Sequence, residues 1–582
     1  MKYLLFLLAV LLPSVSWCED IWSGTKVFPT NWTGWEKLDD SCFSNAVAGK
    51  LLRFKYNDLK VGASATLYKS DWTTIPGIDG YVELQGNHVD IPVTQSLVQE
   101  LKRDGCIVFG QGFTMTSVQI IGIDEVSRLK QSVPLVNDWL WTENAKPRIS
   151  IDISNPTNAA ATANAELIIQ TDKLKPCTTL KKSVAVSALG NVSVSFDLNI
   201  EPGFYQCTAL VNDELARTFT IGYAPERIVS PPDMQPDFHT FWQEAKAQLA
   251  TTPMDITMSV IPSKSTPNRT VYLIEVRSVS DQTGEAFMRA YYAEPTGNGT
   301  YPALIHFLGH DTGNLEPYCM GGDDLPGYAE MYVSIRGQFI NNRAPFTNPY
   351  GKNGDDYFIY GFGNKENYYY RGAFLDAVRA VDFLCTREKV QKDNIFAEGS
   401  SQGGTLTIAA AALSDGRVKA IAPSVFFMSD FPNYFQITAW PGTEFIKQKE
   451  LLGMTDEEMY KMLSYFDMKN LATMIHCPVY MNFSLHDDMC PPYTNWVFYN
   501  NLASTEKKYL NNPTLGHQTP DNWWSEFLDF FADHMNTEGI EDPQMVGRTS
   551  AQSYYNLDGR RLPETPRQPG IYINNGKKVV VR

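Results

Sequence analysis

The chain has 582 residues, a length that exceeds a single hydrophobic core and predicts several domains. With 43% hydrophobic, 12% aromatic and 20% charged residues, its composition is that of a folded globular protein and excludes a disordered chain. The formal net charge of −16 argues against a nucleic-acid partner, because binding to a phosphate backbone depends on clustered Lys and Arg. A neutral or polar small substrate fits this charge better.

The N-terminal residues 1–18 have the layout of a cleaved secretory signal: one Lys, a long apolar run, then small residues at Ser14 and Ser16. A lipid-modified Cys18 is the alternative, but the bulky Trp17 before it does not suit that processing. Later apolar stretches are too short to span a bilayer. We therefore expect a secreted or periplasmic protein without a membrane span.

Two β-rich modules are expected after the signal. Short strand-like runs with turn residues between them, such as ATLYKSDWTTIPG, predict a jelly-roll-like β-sandwich over residues 19–122. Runs of the same kind, including PRISIDISN and VSVSFDLNI, predict an immunoglobulin-like β-sandwich over residues 123–225. Four tryptophans of the first module suit either core packing, which is the commoner use, or stacking on sugar rings. They are Trp22, Trp32, Trp35 and Trp72.

Over residues 226–540 strand-like runs alternate with helical ones, as in folds with a mostly parallel sheet. YPALIHFLG and AEMYVSIRG are apolar runs of strand length, and YYYRGAFLDAVRAVDFL carries a helical apolar stripe. Residues 541–582 contain the turn signals Asp558-Gly559 and Asn575-Gly576 and predict a short β tail. This tail resembles those of Bacteroidota-type secreted enzymes, which implies export or attachment to the cell surface.

Gly399, Ser401 and Gly403 form a Gly-x-Ser-x-Gly pentapeptide between the strand-like DNIFAEGS and the helical SQGGTLTIAAAAL. A sharp strand-to-helix turn needs residues without bulky Cβ groups around a serine whose hydroxyl projects into a site. The pentapeptide alone has many chance matches, and a packing contact between small residues is the alternative. The flanking strand and helix favour a nucleophile elbow with Ser401 as the nucleophile.

A serine hydroxyl needs a base to accept its proton and an acidic residue to orient that base. In folds with a nucleophile elbow, the acidic residue and then the histidine follow the serine in the chain. His476, His486, His517 and His534 lie after Ser401. Only His517 occupies a loop after the strand-like KKYL and before the terminal helix, whereas the others lie at strand ends or inside that helix. We expect His517 to be the base, with a solvated loop histidine as the ordinary alternative.

The acid is expected in the loop MNFSLHDDMCPPYTN, where sequence position alone does not separate Asp487 from Asp488. The developing oxyanion needs preorganised donors, which we expect to be the backbone N–H groups of Gln402 and His310. The cysteine spacings match no zinc pattern, and this chemistry needs no metal or organic cofactor.

Together these residues resemble the acetyl xylan esterase and cephalosporin-C deacetylase group, carbohydrate esterase family seven, of the α/β-hydrolase superfamily. The resemblance covers roughly residues 236–535, through SIRGQ, YYYRGAFLDAVRAVDFL, GSSQGG, YFDMKNLATMIHCPV, DDMCPP and LGHQ. It implies that Asp487 is the acid, because the family's acid stands four positions before the first proline of Pro-Pro. It also implies that Arg336, Gly337 and Gln338 are a structural signature near the site.

Two positions depart from the family's pattern. Its usual His-Gly-Tyr in the oxyanion loop is Leu308-Gly309-His310 here, and Gln518 follows the predicted base where glutamate is common. A backbone donor survives a change of side chain, so we expect the oxyanion hole to persist with an altered pocket shape. The resemblance further implies a homo-oligomer, which the two added β modules put in question.

The sequence therefore predicts an α/β-hydrolase catalytic domain preceded by two β-sandwich modules and followed by a short β tail. The expected reaction is removal of acetyl groups from acetylated sugars, foremost xylan or xylo-oligosaccharides, through an acetyl-serine intermediate. An oligopeptidase-like serine hydrolase is one alternative, but that class carries an aromatic residue after the serine and a repeated propeller. A non-catalytic carbohydrate-binding protein is the other, and the intact Ser401, Asp487 and His517 argue against it.

Overall fold

The computed structural model describes residues 19–310 and 325–536, with short gaps, and three strands of the C-terminal tail. The gaps are 31, 49, 61, 76–77, 79–80, 85, 123–128, 326, 343–345, 347–348 and 351–356. The predicted signal at 1–18 and the turn signal Asp558-Gly559 lie outside the described residues. Contacts between residues divide the chain into two compact units. The first is Met1–Ile228, Ser484–Trp496 and Asn511–Gln518, and the second is Val229–Phe483, Val497–Leu510 and Thr519–Arg582.

The first β-sandwich is built from two four-stranded antiparallel sheets, with the strand orders β1-β8-β3-β6 and β2-β7-β4-β5. The strands are β1 (Glu19–Phe28), β2 (Gly34–Leu38), β3 (Lys50–Asn57), β4 (Ser64–Tyr68), β5 (Val82–Glu83), β6 (His88–Pro92), β7 (Cys106–Gln111) and β8 (Phe113–Gly122). Alternate residues of β3, namely Leu52, Phe54 and Tyr56, are buried in the core between the sheets, as the two-residue period of a strand requires. Helix α1 (Gln95–Asp104) begins at Thr94, whose hydroxyl accepts a hydrogen bond from the N–H of Leu97.

The tryptophans of this module divide into two groups. Trp22 is partly buried against the core, as predicted, whereas Trp32, Trp35 and Trp72 are exposed, so the prediction of core packing is wrong for these three. Leu38 of β2 is buried, and the alternation of side chains therefore places Trp35 on the opposite, outer face of the sheet. The exposed rings of Trp35 and Trp72 contact each other edge to face, with centroids 5.9 Å apart. Stacking on sugar rings stays a prediction for these side chains.

The second β-sandwich has a five-stranded sheet, β10-β16-β15-β12-β13, and a three-stranded sheet, β14-β11-β9. Its strands are β9 (Lys130–Ser132), β10 (Leu140–Trp141), β11 (Arg148–Ser154), β12 (Ala161–Thr171), β13 (Pro176–Val186), β14 (Asn191–Asp197), β15 (Gly203–Val211) and β16 (Glu214–Tyr223). The pairings are antiparallel except that of the short β10 with β16. Burial alternates along β15, which places Cys207, Ala209 and Val211 in the core.

A nine-stranded sheet with the order β17-β18-β19-β21-β20-β22-β23-β24-β25 follows. Its strands are β17 (Thr257–Val260), β18 (Arg269–Asp281), β19 (Gly284–Pro295), β20 (Tyr301–Phe307), β21 (Ala329–Ser334), β22 (Val390–Ser400), β23 (Ala420–Ser424), β24 (Val479–Ser484) and β25 (Lys507–Asn512). The pairings from β17 to β21 are antiparallel, and those from β21 through β24 are parallel. Strands β21, β23 and β24 are buried throughout, as expected for strands covered on both faces.

Nine helices accompany this sheet in the described part of the chain. They are α2 (Phe238–Thr251), α3 (Tyr369–Thr386), α4 (Gln402–Leu413), α5 (Phe431–Ile437), α6 (Gly442–Leu451), α7 (Asp456–Leu463), α8 (Met468–Leu471), α9 (Pro492–Asn501) and α10 (Trp523–Asp533). The alternation of strands and helices confirms the predicted α/β fold class. His534 was expected inside the terminal helix, but α10 ends one residue earlier, because the His534 N–H donates to the Phe531 carbonyl three residues back, while its ring bonds the Phe530 carbonyl.

The tail forms a small antiparallel sheet of β26 (Tyr554–Tyr555), β27 (Gly570–Asn574) and β28 (Lys577–Val581). Asn574 pairs with Lys577 in this sheet, and the predicted turn signal Asn575-Gly576 lies outside the described residues. Among the helices that the structure describes, none has the length and apolar character needed to cross a membrane.

Candidate active site

Ser401 lies where β22 ends and α4 begins, with φ 58° and ψ −124°. A positive φ is uncommon for a residue with a Cβ and persists only where the surroundings hold it. Two backbone hydrogen bonds do so: the Ser401 N–H donates to the Ser424 carbonyl at 3.0 Å, and the Thr405 N–H donates to the Ser401 carbonyl at 3.2 Å. The strained backbone holds the partly exposed Ser401 at the carboxyl end of a central strand.

The two glycines of the pentapeptide allow strand β20 to approach this turn closely. A Cβ built on Gly403 would lie 2.0 Å from the Phe307 carbonyl oxygen, and one on Gly399 would lie 2.6 Å from the same atom. No side chain fits at these distances. The sequence pattern therefore follows from a steric requirement of the elbow.

Gln338 connects the two loops expected to supply the oxyanion donors. Its side-chain amide donates to the Gly309 carbonyl at 3.1 Å and to the Gln402 side-chain oxygen at 2.5 Å. The Gly309 carbonyl belongs to the same planar trans peptide as the His310 N–H, so this bond fixes the direction of that N–H, opposite to the carbonyl. The Gln402 N–H opens α4 and has no acceptor within the helix.

Tyrosines complete the surroundings of the buried Gln402 side chain. The Tyr357 hydroxyl donates to its oxygen at 3.1 Å, and its nitrogen donates to the Tyr370 hydroxyl at 2.7 Å. The amide is thereby held in one orientation. These tyrosines were not identified from the sequence, although the Tyr-Tyr-Tyr run at the start of α3 contains Tyr370.

Arg336 anchors the loop after β21. Its guanidinium forms a two-pronged ion pair with buried Asp376, with N–O distances of 2.9 and 2.7 Å, and its Nη1 donates to Asp281 at 2.9 Å. Burial opposes a charge here, but Asp376 outweighs it and keeps the pKa of Arg336 well above its ordinary value. Gly337 has φ 81° and allows the turn that brings Gln338 towards the elbow.

Three aromatic side chains lie near the His310 ring. The rings of Tyr357 and Trp440 lie 4.9 and 5.8 Å from the His310 ring, and Phe358 lies 6.1 Å from Trp440. Trp440 is 42% exposed. No sequence pattern had marked Trp440, because it lies in the insertion between β23 and β24, far from the motifs.

His517 is hydrogen-bonded through Nδ1 to the Asp487 carboxylate, at 2.9 Å to Oδ2 and 3.1 Å to Oδ1. This contact leaves Nε2 to accept a proton. Asp487 is buried and Asp488 is exposed, and the N–H groups of Met489 and Cys490 also donate to Asp487 Oδ1, at 3.0 and 2.8 Å. The structure thus pairs the imidazole with Asp487.

Burial disfavours the charged form of His517, but contacts with Cys490 and Asp487 outweigh it and raise the pKa of the imidazole.

The ligand atoms of Asp487, Cys490 and His517 lie within 4.8 Å of one another, a set that could hold a metal ion. The hydrogen bonds to the carboxylate give these side chains the arrangement of an acid orienting a base. Cys490 was quoted in a motif from the sequence, but its contact with His517 was not foreseen.

The predicted site residues fall into two groups. Ser401, Gln402, His310 and residues 336–338 lie in the second unit, and Asp487 and His517 lie in segments of the first. Their catalytic roles stay predictions.

A family model described as acetyl xylan esterase matches residues 227–534, just over half of the chain. The chain belongs to this family. Acetyl esterase Axe7A of Xylanibacter ruminicola is 27% identical to the chain over 405 residues, which cover 67% of this chain and 86% of that protein. The predicted family and the predicted class, a carboxylic ester hydrolase, are thereby confirmed.

Two solved structures are similar to part of this acetyl xylan esterase family member. An acetyl xylan esterase from Paenibacillus sp. R4 is 26% identical, with a TM-score of 0.47, and the match covers 53% of this chain and 98% of that one. Acetyl xylan esterase 1 from Thermoanaerobacterium sp. JW/SL YS485 is 24% identical, with a TM-score of 0.46 and coverage of 53% and 96%.

A buried charged network in the sheet of this esterase was not foreseen. His306 of β20 contacts Glu398 at 2.6 Å and Glu330 at 3.1 Å, and Glu330 also pairs with Arg269. Burial lowers the pKa of His306, but Glu330 and Glu398 outweigh it and raise the value to about 9. The run YPALIHFLG gave no sign of these partners, because they come from other strands.

Proposed function

We propose that this protein is an exported serine esterase that removes acetyl groups from acetylated xylan or xylo-oligosaccharides. The family supports acetyl esterase activity, and the observation that carries the serine mechanism is the Gln338 amide, which joins the two donor loops beside a strained Ser401. Backbone N–H groups that are held in fixed directions can stabilise the negative charge that develops on the carbonyl oxygen of the ester.

In the first half-reaction the Ser401 Oγ attacks the acetyl carbonyl while Nε2 of His517 takes the hydroxyl proton. The N–H groups of Gln402 and His310 stabilise the oxyanion, and Asp487 stabilises the imidazolium. When the tetrahedral intermediate collapses, the bond to the sugar oxygen breaks and His517 returns its proton to that oxygen. The deacetylated sugar leaves, and an acetyl-Ser401 ester remains.

Water completes the second half-reaction. His517 takes a proton from water as its oxygen attacks the acetyl carbonyl, and the same two N–H groups stabilise the second oxyanion. Collapse breaks the bond to Ser401 Oγ, which receives the proton, and acetate leaves. The exposed ring of Trp440 beside His310 supports a sugar as the leaving group, because aromatic faces pack against pyranose rings.

Ser401→Ala tests the mechanism, with the neighbouring Ser400→Ala as the matched control. We expect Ser401→Ala to lower kcat on p-nitrophenyl acetate by about 10⁴-fold or more and Ser400→Ala to stay within about threefold of wild type. Equal activity of Ser401→Ala and wild type would refute the serine mechanism.

Acetate release from acetylated xylan and from acetylated xylo-oligosaccharides tests the substrate. A wild-type enzyme that cleaves p-nitrophenyl acetate but releases no acetate from either sugar would refute the proposed substrate class.

Export and homo-oligomer formation also stay predictions. The mass of the exported chain tests export, and light scattering tests the oligomeric state.

A further inference from the structure

The second β-sandwich belongs to the same compact unit as two segments of the esterase, Ser484–Trp496 and Asn511–Gln518. The first segment carries Asp487 and the second carries His517. The family match begins at residue 227, so the sandwich lies outside it. The contacts between the sandwich and these segments therefore bear directly on the proposed acid and base.

His486 contacts the sandwich and both segments. Its Nε2 accepts a hydrogen bond from the Thr220 N–H of β16 at 3.2 Å. Its own N–H donates to the Leu515 carbonyl at 3.0 Å, two residues before His517, and Asp487 is the next residue in the chain. The position of this ring therefore affects the acid and the base together.

A fully buried tryptophan of the sandwich supports the His486 ring. The Trp139 ring is parallel to it, with an interplanar angle of 3° and centroids 6.2 Å apart. Trp139 is itself held by Phe219, whose ring centroid lies 4.7 Å away, and by the Arg217 guanidinium, 4.7 Å from its ring. The His486 ring therefore packs on a buried and well-contacted part of the sandwich.

The turn that presents Trp139 has an unusual backbone. Asn137, Asp138 and Trp139 have φ values of 51°, 49° and 50°, three consecutive left-handed residues without a glycine. Such a conformation persists only where the surroundings hold it, and it is commonest at functional positions. The Asp138 carbonyl of this turn accepts a hydrogen bond from Asn511 Nδ2 at 2.8 Å, at the start of the second segment.

Further contacts join the two segments to each other. The Ser484 hydroxyl donates to the Gln518 carbonyl at 2.9 Å, and the Leu485 N–H donates to the Asn512 carbonyl at 3.0 Å. The two segments are therefore hydrogen-bonded to each other, and a contact with either of them bears on both.

The His486 ring must be neutral for Nε2 to accept the Thr220 N–H. Burial, and then the nearby Arg217 charge, lower the pKa of His486 to about 4. The ring therefore stays neutral over the range in which a histidine-assisted esterase works.

We propose that the second β-sandwich positions the catalytic acid and base, and that His486, seated on Trp139 and Thr220, is the positioning residue that transmits this support. The inference rests on the proposed roles of Asp487 and His517. It assigns the sandwich a part in catalysis, beyond that of a spacer.

Two variants of one residue test the inference in the full-length chain. His486→Leu removes the acceptor, whereas His486→Gln places an amide oxygen near the position of Nε2 and keeps it. We expect His486→Leu to lower kcat on p-nitrophenyl acetate about tenfold or more, with KM within about twofold, and His486→Gln to recover most of the loss. We also expect the acid limb of kcat/KM to move to lower pH in His486→Leu, because a looser contact with Asp487 stabilises the imidazolium less.

Asn511→Ala gives a milder test that does not disturb the buried stack. We expect it to lower kcat about threefold or more. Asn212→Ala is the matched control, because the Asn212 amide bonds Asn164 and Thr162 within the same sandwich, and we expect kcat to be unchanged. An equal loss in both variants would indicate general destabilisation and overturn the inference.

The outcomes separate this inference from the proposed function. If His517→Ala loses activity while His486→Leu keeps kcat and the acid limb of wild type, the positioning role is wrong and the proposed function stands. If His517→Ala is as active as wild type, both are wrong. If His486→Leu does not fold, the comparison of Asn511→Ala with Asn212→Ala decides.

Discussion

The position of the partly exposed Ser401 depends on neighbours that are not reactive themselves. Gly399 and Gly403 let the Phe307 carbonyl approach the turn, and the bond from Ser401 to the Ser424 carbonyl stabilises a positive φ. Gln338 then fixes the direction of the peptide that carries the His310 N–H. The proposed catalytic geometry therefore depends on close packing around the turn and on the orientation of peptide dipoles.

Gly403→Ala should abolish most of the activity. The new Cβ would lie 2.0 Å from the Phe307 oxygen, so the backbone must shift, and a displacement of about 1 Å at a reactive group costs roughly 10²-fold in rate. Steady-state kinetics on p-nitrophenyl acetate measure this. Gly299→Ala is the control, since its Cβ would meet only Tyr301 atoms at 3.8 Å. Wild-type kcat in Gly403→Ala would contradict the steric account.

Gln338→Leu should lower kcat by about 10- to 10²-fold with little change in KM, because the substitution removes the donor that orients the Gly309–His310 peptide. The kinetics of acetyl transfer give both constants. Gln391→Leu, which removes a bond to the Thr300 carbonyl elsewhere, should leave both near wild type. A change confined to KM would mean that Gln338 shapes binding and leaves the oxyanion hole unaffected.

The pH dependence of kcat/KM should report His517. The base must be neutral, and its contacts raise its pKa, so activity should rise with pH through a limb above the ordinary histidine value of about 6.5. Cys490→Ala should move this limb to lower pH, because it removes one contact that favours the charged imidazolium. A limb that does not respond to this substitution would contradict the assignment of the shift to Cys490.

At the scale of elements, the sheet combines apolar burial with a charged network inside it. His306 on β20 lies between Glu330 on β21 and Glu398 on β22, and β20 also supplies the Phe307 carbonyl that meets the elbow. The network therefore joins three adjacent strands, and β22 ends next to the proposed nucleophile Ser401. We expect loss of this network to lower the free energy of unfolding.

His306→Leu should reduce the free energy of unfolding by about 3 kcal/mol near neutral pH, because it leaves the buried Glu330 and the partly buried Glu398 without their shared partner. The folded-state pKa of about 9 lies above the unfolded value, so this stabilisation is complete below about pH 6.5 and is lost as pH rises through 9. Urea unfolding of both proteins at pH 6.5 and 9.5 measures it. A difference that does not shrink at the higher pH would exclude a charged His306.

At the scale of the whole molecule, segments that are far apart in the sequence belong to one compact unit. Segments 484–496 and 511–518 come from the last quarter of the chain, yet they share a compact unit with residues 1–228. Opening of the second sandwich should therefore expose the loops that carry the proposed acid and base, because residues of one cooperative unit open together.

Ile151→Ala tests this coupling. Ile151 is fully buried in β11, and its truncation should cost about 2–5 kcal/mol in the sandwich core. We expect faster hydrogen exchange in residues 511–518 than in wild type, measured by mass spectrometry of peptides. Unchanged exchange in that segment, with faster exchange in β11, would show that the loops are stabilised independently of the sandwich.

Much of the fold was predictable because its signals are local. The alternation of strands and helices and the glycines around Ser401 are set by residues within a few positions of each other. The exposure of Trp35 was not, because the face of β2 that is covered depends on strands that lie far from it in the sequence.

By itself, the sequence determined the candidate nucleophile and the alternation of strands and helices from residue types at fixed spacing, and the family with its α/β-hydrolase fold from the resemblance of its motifs. Only the tertiary structure decided that Gln338 joins Gly309 to Gln402, that His306 lies between two glutamates, and that His486 rests on Trp139. Those partners lie from tens to hundreds of residues apart. Because such contacts are made by folding and carry no periodic or local signature, they had to be read from the packed molecule.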